Sequence, residues 1–463
     1  MRWPDIESFA HNIQLPTGVR ARQLARGDVP GLIRLLSRWQ PSLAEAEDAA
    51  LLTARFYEEQ VALAGEDCST ATRPTFVIVL VREGAIVSCT VNDFDDEGRV
   101  SLGRFSVVAP EQRGQGLGRV HVELQIALAR AGGAVLTHGF VELDNLVQSG
   151  LLIRAGYRVC GVLPDADWKS VGPRRVLCVS EAALFAPLVS PEQIAWPEAA
   201  AMRPATAALM KLVFDHGDPP GPLVSFQPEP VPELEPATRA RVAAEPSHAP
   251  PWPELDPIAE QLAEQLALSP RVVLRRLRPR DLAEIADRVH GPQAWQPAIE
   301  REPLARLRSL AFDDSGTPDP VHGWCVVVDG ALAGLGLARC DVSRSWLFPR
   351  LIVTDPRHDE LKLPSLLMRA QILTAQALEL ETITTFVPLR HLRGQLLCEA
   401  TGFRLVGISP ASERRVIAAG AVRYASEAVY SISLVPPELR YLPPREQMQP
   451  EVASVVDFVF GPR

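Results

Sequence analysis

Apolar and polar positions recur along the first two hundred residues in a readable order. Val19 to Leu24 alternates as a strand. Asp28 stands where it would cap a helix from Pro30 to Arg38. The Glu- and Ala-rich text from Leu43 to Ala64 reads as helix. Phe76 to Val81 is an unbroken apolar run of strand length, and Ala85 to Asn92 follows it as a hairpin around Arg82-Glu83-Gly84. Val100 to Val108 is the next strand, and Val120 to Ala131 runs as a helix without a breaker. Ala134 to Val141 predicts a strand, Asn145 to Ala155 a helix and Tyr157 to Val162 a strand, with Arg174 to Val179 placed to close the sheet. The order β-αα-βββ-α-β-α-ββ describes a mixed sheet covered by helices, an α/β (α+β) class.

The pattern then repeats. Shifted by 246 positions, Arg82-Glu83-Gly84-Ala85 falls on Val328-Asp329-Gly330-Ala331, and Gly156-Tyr157-Arg158 falls on Gly402-Phe403-Arg404. One ungapped register holds from Gly84 to Pro164, which points to an internal duplication. Further upstream, Arg22 to Leu32 resembles Arg275 to Ile285 at a shift of 253. Between the copies, Pro219 to Pro257 holds 12 of the 42 prolines and reads as an extended linker without helix or central strand. The expected organisation is an arm over 1–18, a domain over 19–200, a helix and Pro-rich linker over 201–270, a second domain over 271–440 and a tail over 441–463.

Composition narrows the partners. The 463 residues are 47% apolar and 22% charged with a net charge of −9, and no Lys/Arg run is long enough to track nucleic acid. No apolar run approaches a bilayer span, and the N-terminus has no signal-peptide core. Cys68, Cys89, Cys160, Cys178, Cys325, Cys340 and Cys398 are scattered, with no Cys-x-x-Cys pair. They read as reduced thiols in a cytoplasmic protein, with no metal ligand set and no membrane or nucleic-acid partner.

The chemistry concentrates in Arg113-Gly114-Gln115-Gly116-Leu117-Gly118. A strand precedes this hexapeptide and a helix follows it. Glycines let successive backbone N–H groups approach a phosphate, and the helix start adds unpaired donors and the positive end of its dipole. The segment is built to hold a pyrophosphate.

Together with the element order, Arg113, Gly116 and Gly118, and the later Asn145 and Gly156-Tyr157, resemble the GNAT superfamily of N-acetyltransferases, which move an acetyl group from acetyl-CoA to an amine. The resemblance implies two tandem GNAT-like domains, each a mixed, mainly antiparallel twisted sheet flanked by helices. It places the CoA pyrophosphate on Arg113 to Gly118, the pantetheine arm along Ser106, Val107 and Val108, and Asn145 beside the cofactor. It implies acetyl-CoA as cosubstrate, a small-molecule or protein amine as acceptor, and leaves room for a homodimer. The acceptor side would be shaped by Leu43 to Glu66 and by Asp165, Asp167 and Trp168.

Two departures stand out. Where the family often has a carboxylate as base, this chain has Arg104, and Arg350 in the copy. Where it often has a tyrosine as acid, this chain has Leu152. His138 and Glu142 are the substitutes for the base; the alternatives are a packed strand histidine and a solvated loop carboxylate. Cys160 reads as a core thiol and His121 as a packing residue. In the copy, the glycine segment becomes Asp359-Glu360-Leu361-Lys362-Leu363-Pro364, Asp144 becomes Arg390 and Asn145 becomes His391. All three glycines are gone and two carboxylates stand where phosphate would sit. The second domain is therefore expected to keep the fold without the cofactor site. A non-catalytic acyl-CoA-binding regulator is the second reading of the chain.

Overall fold

A computed structural model describes residues 3–41, 43, 47–65, 73–95, 99–172, 175–198, 202–215, 232–244, 256–278, 281, 284–285, 321–341, 345–418 and 421–461. The first half begins with α1 (Ile6–Ala10), β1 (Val19–Gln23), α2 (Val29–Trp39), α3 (Ala54–Glu59) and β2 (Val61–Ala62). Then come β3 (Thr75–Arg82), β4 (Ala85–Asp95), β5 (Val100–Val108), α4 (Leu117–Ala131), β6 (Leu136–Glu142) and α5 (Leu146–Arg154). The long hairpin β7 (Arg158–Gly172) and β8 (Arg175–Pro187), the short β9 (Ile194–Ala195) and α6 (Pro204–Phe214) complete it.

The expected elements form, with three corrections. The stretch expected as one helix over Leu43 to Ala64 is broken: a 3-10 turn at Glu47–Leu52 is followed by α3, which Thr53 caps, and by β2. Phe56, Tyr57 and Val61 are buried there, so packing under the sheet overrides the helical composition. Asp28 does not cap α2. Its carboxylate accepts from both Arg22 Nη atoms, at 2.6 and 2.9 Å, and from the Ala25 backbone N–H, tying the end of β1 to the helix entry. The closing strand is longer than expected and lies between β6 and β7, antiparallel to both.

The second half repeats these elements: α7 (Pro236–Ala244), α8 (Asp256–Gln265), β10 (Val272–Arg276), β11 (Val321–Val328), β12 (Ala331–Asp341), β13 (Trp346–Thr354), α9 (Leu363–Ala377), β14 (Thr382–Pro388), α10 (Leu392–Ala400), β15 (Arg404–Ala418), β16 (Ala421–Ser433), β17 (Arg440–Tyr441) and α11 (Pro450–Phe460). From β11 to α11, every strand and helix bound lies 246 positions after its counterpart in β3 to α6. The local devices recur too. The hairpin turns place Glu83 and Gly84, and then Asp329 and Gly330, at positive φ, as a type I′ turn requires. Arg275 clamps Asp281 at 2.7 and 2.8 Å as Arg22 clamps Asp28. A β-bulge inserts Arg104 into β5 and Arg350 into β13. The linker contains helix where none was expected, because α7 and α8 start at Pro236 and next to Pro257, positions where a missing N–H costs nothing. Gln376 fastens the linker to α9, accepting from Leu234 N and donating to Pro232 O.

Each half is thus a mixed, mainly antiparallel sheet flanked by helices, and the two sheets join into one of 17 strands among the described residues. The junction has twofold character. Gly161 of β7 pairs Gly407 of β15; β9 pairs β16 through Ile194 and Tyr424, and β17 pairs β8 through Arg440 and Cys178. Each contact is the image of another at the same offset. Gly161 and Gly407, themselves equivalent, touch backbone to backbone: a Cβ on Gly161 would stand 2.6 Å from the Gly407 Cα. The last helices are exchanged. Thr206 of α6 donates to Gln395 of α10 and Arg203 pairs with Glu399, while Gln449, at the start of α11, donates to the Leu146 carbonyl of α5. The main core runs through this junction, from Cys160, Val162 and Leu184 to Val406, Ile408 and Tyr430. The segment expected as a tail carries α11 in this core.

Candidate active site

The β5–β6 ladder is parallel and short. It pairs Val100 with Leu136, Ser101 with Thr137 and Leu102 with His138, and then ends. Beyond it the strands diverge, each held on its far side by β4 or β8. A cavity of about 800 Å³ opens between them, lined by Gly103 to Val107 on one side and Gly139 to Glu142 on the other. Backbone edges of two strands facing a cavity are suited to an extended, amide-bearing ligand.

Following β5, Pro110–Gln112 makes a 3-10 turn, and Gly114 and Gly116 take φ of 77° and 80°. A Cβ at either would meet nothing within 4 Å, so it is backbone conformation that demands glycine there. Arg82 Nη1 donates to both Gln112 and Gln115, at 2.5 Å each, and so braces the segment from β3. The exposed Arg113 donates to the Val108 carbonyl. Leu117 and Gly118 already belong to α4: Leu117 is buried in the core, and Gly118 lets α4 approach Leu151 of α5. Of the expected cofactor residues, Ser106, Val107 and Asn145 line the cavity, whereas Val108 and Arg113 to Gly118 lie beyond its lining. Asn145 caps α5 through the Gln148 N–H.

The acceptor side is crowded with carboxylates: Asp48, Glu142, Asp144, Asp167 and Glu181 line the cavity with Trp168. Two cations answer them. Arg104 donates to Asp48 at 2.6 Å, reaches Asp93 at 3.5 Å and lies over the Phe56 ring. Lys169 bonds Glu142 and sits 3.4 Å from Asp144. Burial raises the pKa of Asp167; its bond from the Trp168 N–H lowers it, and the neighbouring Glu142 and Asp48 charges raise it further.

The two base candidates separate. Glu142 is on the cavity wall and engaged by Lys169. His138 is not among the lining residues; its ring stacks on Phe185 and meets Phe140 edge-on. Leu152 lines the cavity, and the nearest tyrosine in sequence, Tyr157, is buried with its hydroxyl against Thr137 at 3.2 Å and its pKa pushed up to about 12 by burial. Cys160 is buried in the junction core, and burial raises its thiol pKa. His121 is buried on α4, 2.7 Å from the Ser88 hydroxyl, and burial pulls its pKa down to about 4.

Sequence reasoning placed Asp167 and Trp168 near the opening but gave no role to Trp346, a second-half residue that lines the same cavity. Only the twofold junction brings it there. Equivalent positions in the second half are built differently: Asp359 and Glu360 stand in a 3-10 turn, Lys362 holds φ of 50° before α9, and Pro364 enters the first helical turn.

No family model matches the chain, and no curated protein matches it. Solved acetyltransferases are similar in structure. Nourseothricin acetyltransferase is 21% identical over 25% of this chain and 66% of its own length, just under two thirds, with a TM-score of 0.22. Spermidine N-acetyltransferase from Vibrio cholerae is 13% identical over 37% of this chain and 95% of its own, at 0.29. The YncA protein of Salmonella typhimurium, solved with acetyl-CoA, is 17% identical over 38% and 96%, at 0.28. Among the described residues no group of His, Cys, Asp and Glu is arranged to hold a metal, and no helix is long and apolar enough to cross a membrane.

Proposed function

We propose that this chain is an acetyl-CoA-dependent N-acetyltransferase with one working site, in the first half, and an amine acceptor. The observation that carries it is the splayed β5–β6 pair: a glycine segment heading a helix follows β5 beyond the cavity, and a carboxylate cluster around Trp168 lines the cavity itself. The cluster suits a cation, and the strand edges suit pantetheine amides. Ser106 to Val108 would run along the pantetheine arm, and Arg113 to Gly118 would supply backbone donors to the diphosphate. The amine nitrogen attacks the thioester carbonyl, the C–N bond forms, the C–S bond breaks, and the thiolate leaves to be protonated by solvent. The ammonium proton must be lost before attack. Asp167 suits that task better than His138, which is packed between rings, or Glu142, which Lys169 holds.

In the second half, Asp359 and Glu360 would repel phosphate, and Pro364 lacks an N–H. We read that half as without a cofactor site. The division of the chain, with an arm, two GNAT-like domains and a linker, follows the same reading.

Thiol release from acetyl-CoA over an amine panel tests the proposal. Wild type should turn over, calorimetry should give one acetyl-CoA per chain, and Gly116→Glu should lower kcat/KM by about a hundredfold or more through strain and charge repulsion. Two equal sites per chain would refute the one-site reading. Arg104 and Leu152, where the family's helpers often stand, favour the second reading, a non-catalytic acyl-CoA-binding regulator. Binding abolished by Gly116→Glu, with no thiol release on any amine, would establish it.

A further inference from the structure

The acceptor end of the cavity is not built by one half. Trp346, the first residue of β13, lines it beside Ala166, Asp167 and Trp168. The Trp168 indole N–H donates to Glu381 Oε1 at 2.6 Å, across 213 positions of sequence, and Thr382 Oγ donates to the Asp165 carbonyl. Two rings that belong to different copies therefore line one wall, and a second-half carboxylate holds the first-half ring.

The twofold relation shows what is special about this wall. The first-half equivalents of Trp346 and Glu381 are Val100 and Val135. Packing alone is satisfied by valine at both places, since Val135 is buried and Val100 packs against the same core. Trp346 is itself only 5% exposed, so its ring is held rigidly where the cavity meets the core. An indole face attracts an ammonium, and a carboxylate fixing the neighbouring indole sets the width of the slot.

We propose that the second half is the specificity wall of the first half's site: Trp346 contacts the acceptor, and Glu381 positions Trp168. Together they select a cationic amine that carries a flat or apolar body. This rests on the acetyltransferase reading and deepens it. A symmetric pair of identical halves could not hold this wall on one cavity and valines on the other; a fused pair can.

The test uses the full chain with tyramine, 1,4-diaminobutane and the anionic amine glutamate as acceptor probes, and acetyl-CoA binding as a separate arm. In wild type, tyramine should bind best and glutamate worst. Trp346→Ala should raise the tyramine KM about tenfold, with acetyl-CoA affinity within about twofold, as loss of an aromatic contact to a cation predicts. Trp346→Phe should restore most of it. Glu381→Ala should raise the tyramine KM with kcat little changed, and Glu381→Gln, which still accepts from the indole, should recover it. Unchanged tyramine KM in both alanine variants, an effect confined to acetyl-CoA affinity, or no binding of any cationic probe by wild type would each overturn the wall. Wild type that fails to bind acetyl-CoA would instead remove the acetyltransferase reading itself.

Discussion

The two halves share a backbone plan and differ in what they attach to it. Both keep the I′ hairpin turn, the Arg–Asp clamp after the first strand, the bulge arginine, the parallel pair that parts after a few residues, and the exchanged last helix. Among the described residues, the first half has glycines at positive φ before the helix and a carboxylate-lined cavity with Trp168, whereas the second half has Lys362 before its helix. The comparison serves as an internal control. Features in both copies are those a sheet and its junction need; features in one copy are where the proposed ligand site is to be sought. Arg104 illustrates the rule. It stands where a catalytic carboxylate would be expected, yet an arginine occupies the same bulge in both halves, which assigns it to the fold.

The largest way to break the comparison is at the point where the halves meet. Gly161 and Gly407 are equivalent in sequence but not in space: a Cβ on Gly161 would stand 2.6 Å from the Gly407 Cα and 2.7 Å from the Val406 carbonyl oxygen. On Gly407 the nearest atoms would be 3.0 and 3.1 Å away. Since backbone cannot swing aside as a side chain can, Gly161→Ala should cost about 3 kcal/mol or more, at or beyond the upper end for overpacking. Gly407→Ala should cost about 1 kcal/mol. Urea unfolding of the full chain checks the order. Equal midpoints for the two variants would show that the junction relaxes freely.

That junction marks the limit of what could be read beforehand. The hairpins, the glycine segment and the duplication were legible because each is written locally or in one unbroken register. The offset in fact runs further than the readable match, to Phe214 and Phe460, where side chains have diverged but helices remain. The failures have physical causes. Glu- and Ala-rich text around Leu43 to Ala64 follows tertiary burial of Phe56 and Tyr57, and prolines at helix starts hid α7 and α8. Trp346 and Glu381 had no local signal at all, since only the junction brings Trp346 to the first half's cavity and Glu381 to the Trp168 indole.

A buried polar pair offers the next test. His121 and Ser88 face each other inside the first half, and the same two positions in the second half are Leu367 and Gly334. There, a Cβ on Gly334 would lie 3.3 Å from the Leu367 side chain, so the apolar version is already tightly filled. Burial lowers the His121 pKa to about 4, below the unfolded value, so the folded state resists protonation. Its stability is fully present above the unfolded pKa and is lost as pH falls through the folded one, at about 3 kcal/mol by pH 4. Replacing the pair as Ser88→Gly with His121→Leu should flatten the acid limb between about pH 6.5 and pH 4. Melting temperatures across that window decide it; an unaltered slope would place the acid sensitivity elsewhere.

The smallest effect separates the glycine from the charge around it. Lys362 occupies the position of Gly116, takes φ of 50° and ψ of 38° just before α9, and is exposed. A left-handed non-glycine residue is strained by about 1 kcal/mol. Glycine removes that strain but loses part of the gain to greater freedom in the unfolded chain. Lys362→Gly should therefore stabilise the protein by about 0.5 kcal/mol, seen as a small upward shift of the urea midpoint. It should not create a second acetyl-CoA site. Asp359 and Glu360 keep their charge, Pro364 still lacks its N–H, and no brace like Arg82 is available, because Val328 stands at that position. If calorimetry of the variant gave two acetyl-CoA per chain, backbone conformation alone would be what distinguishes the halves, and the carboxylates would have to be bystanders.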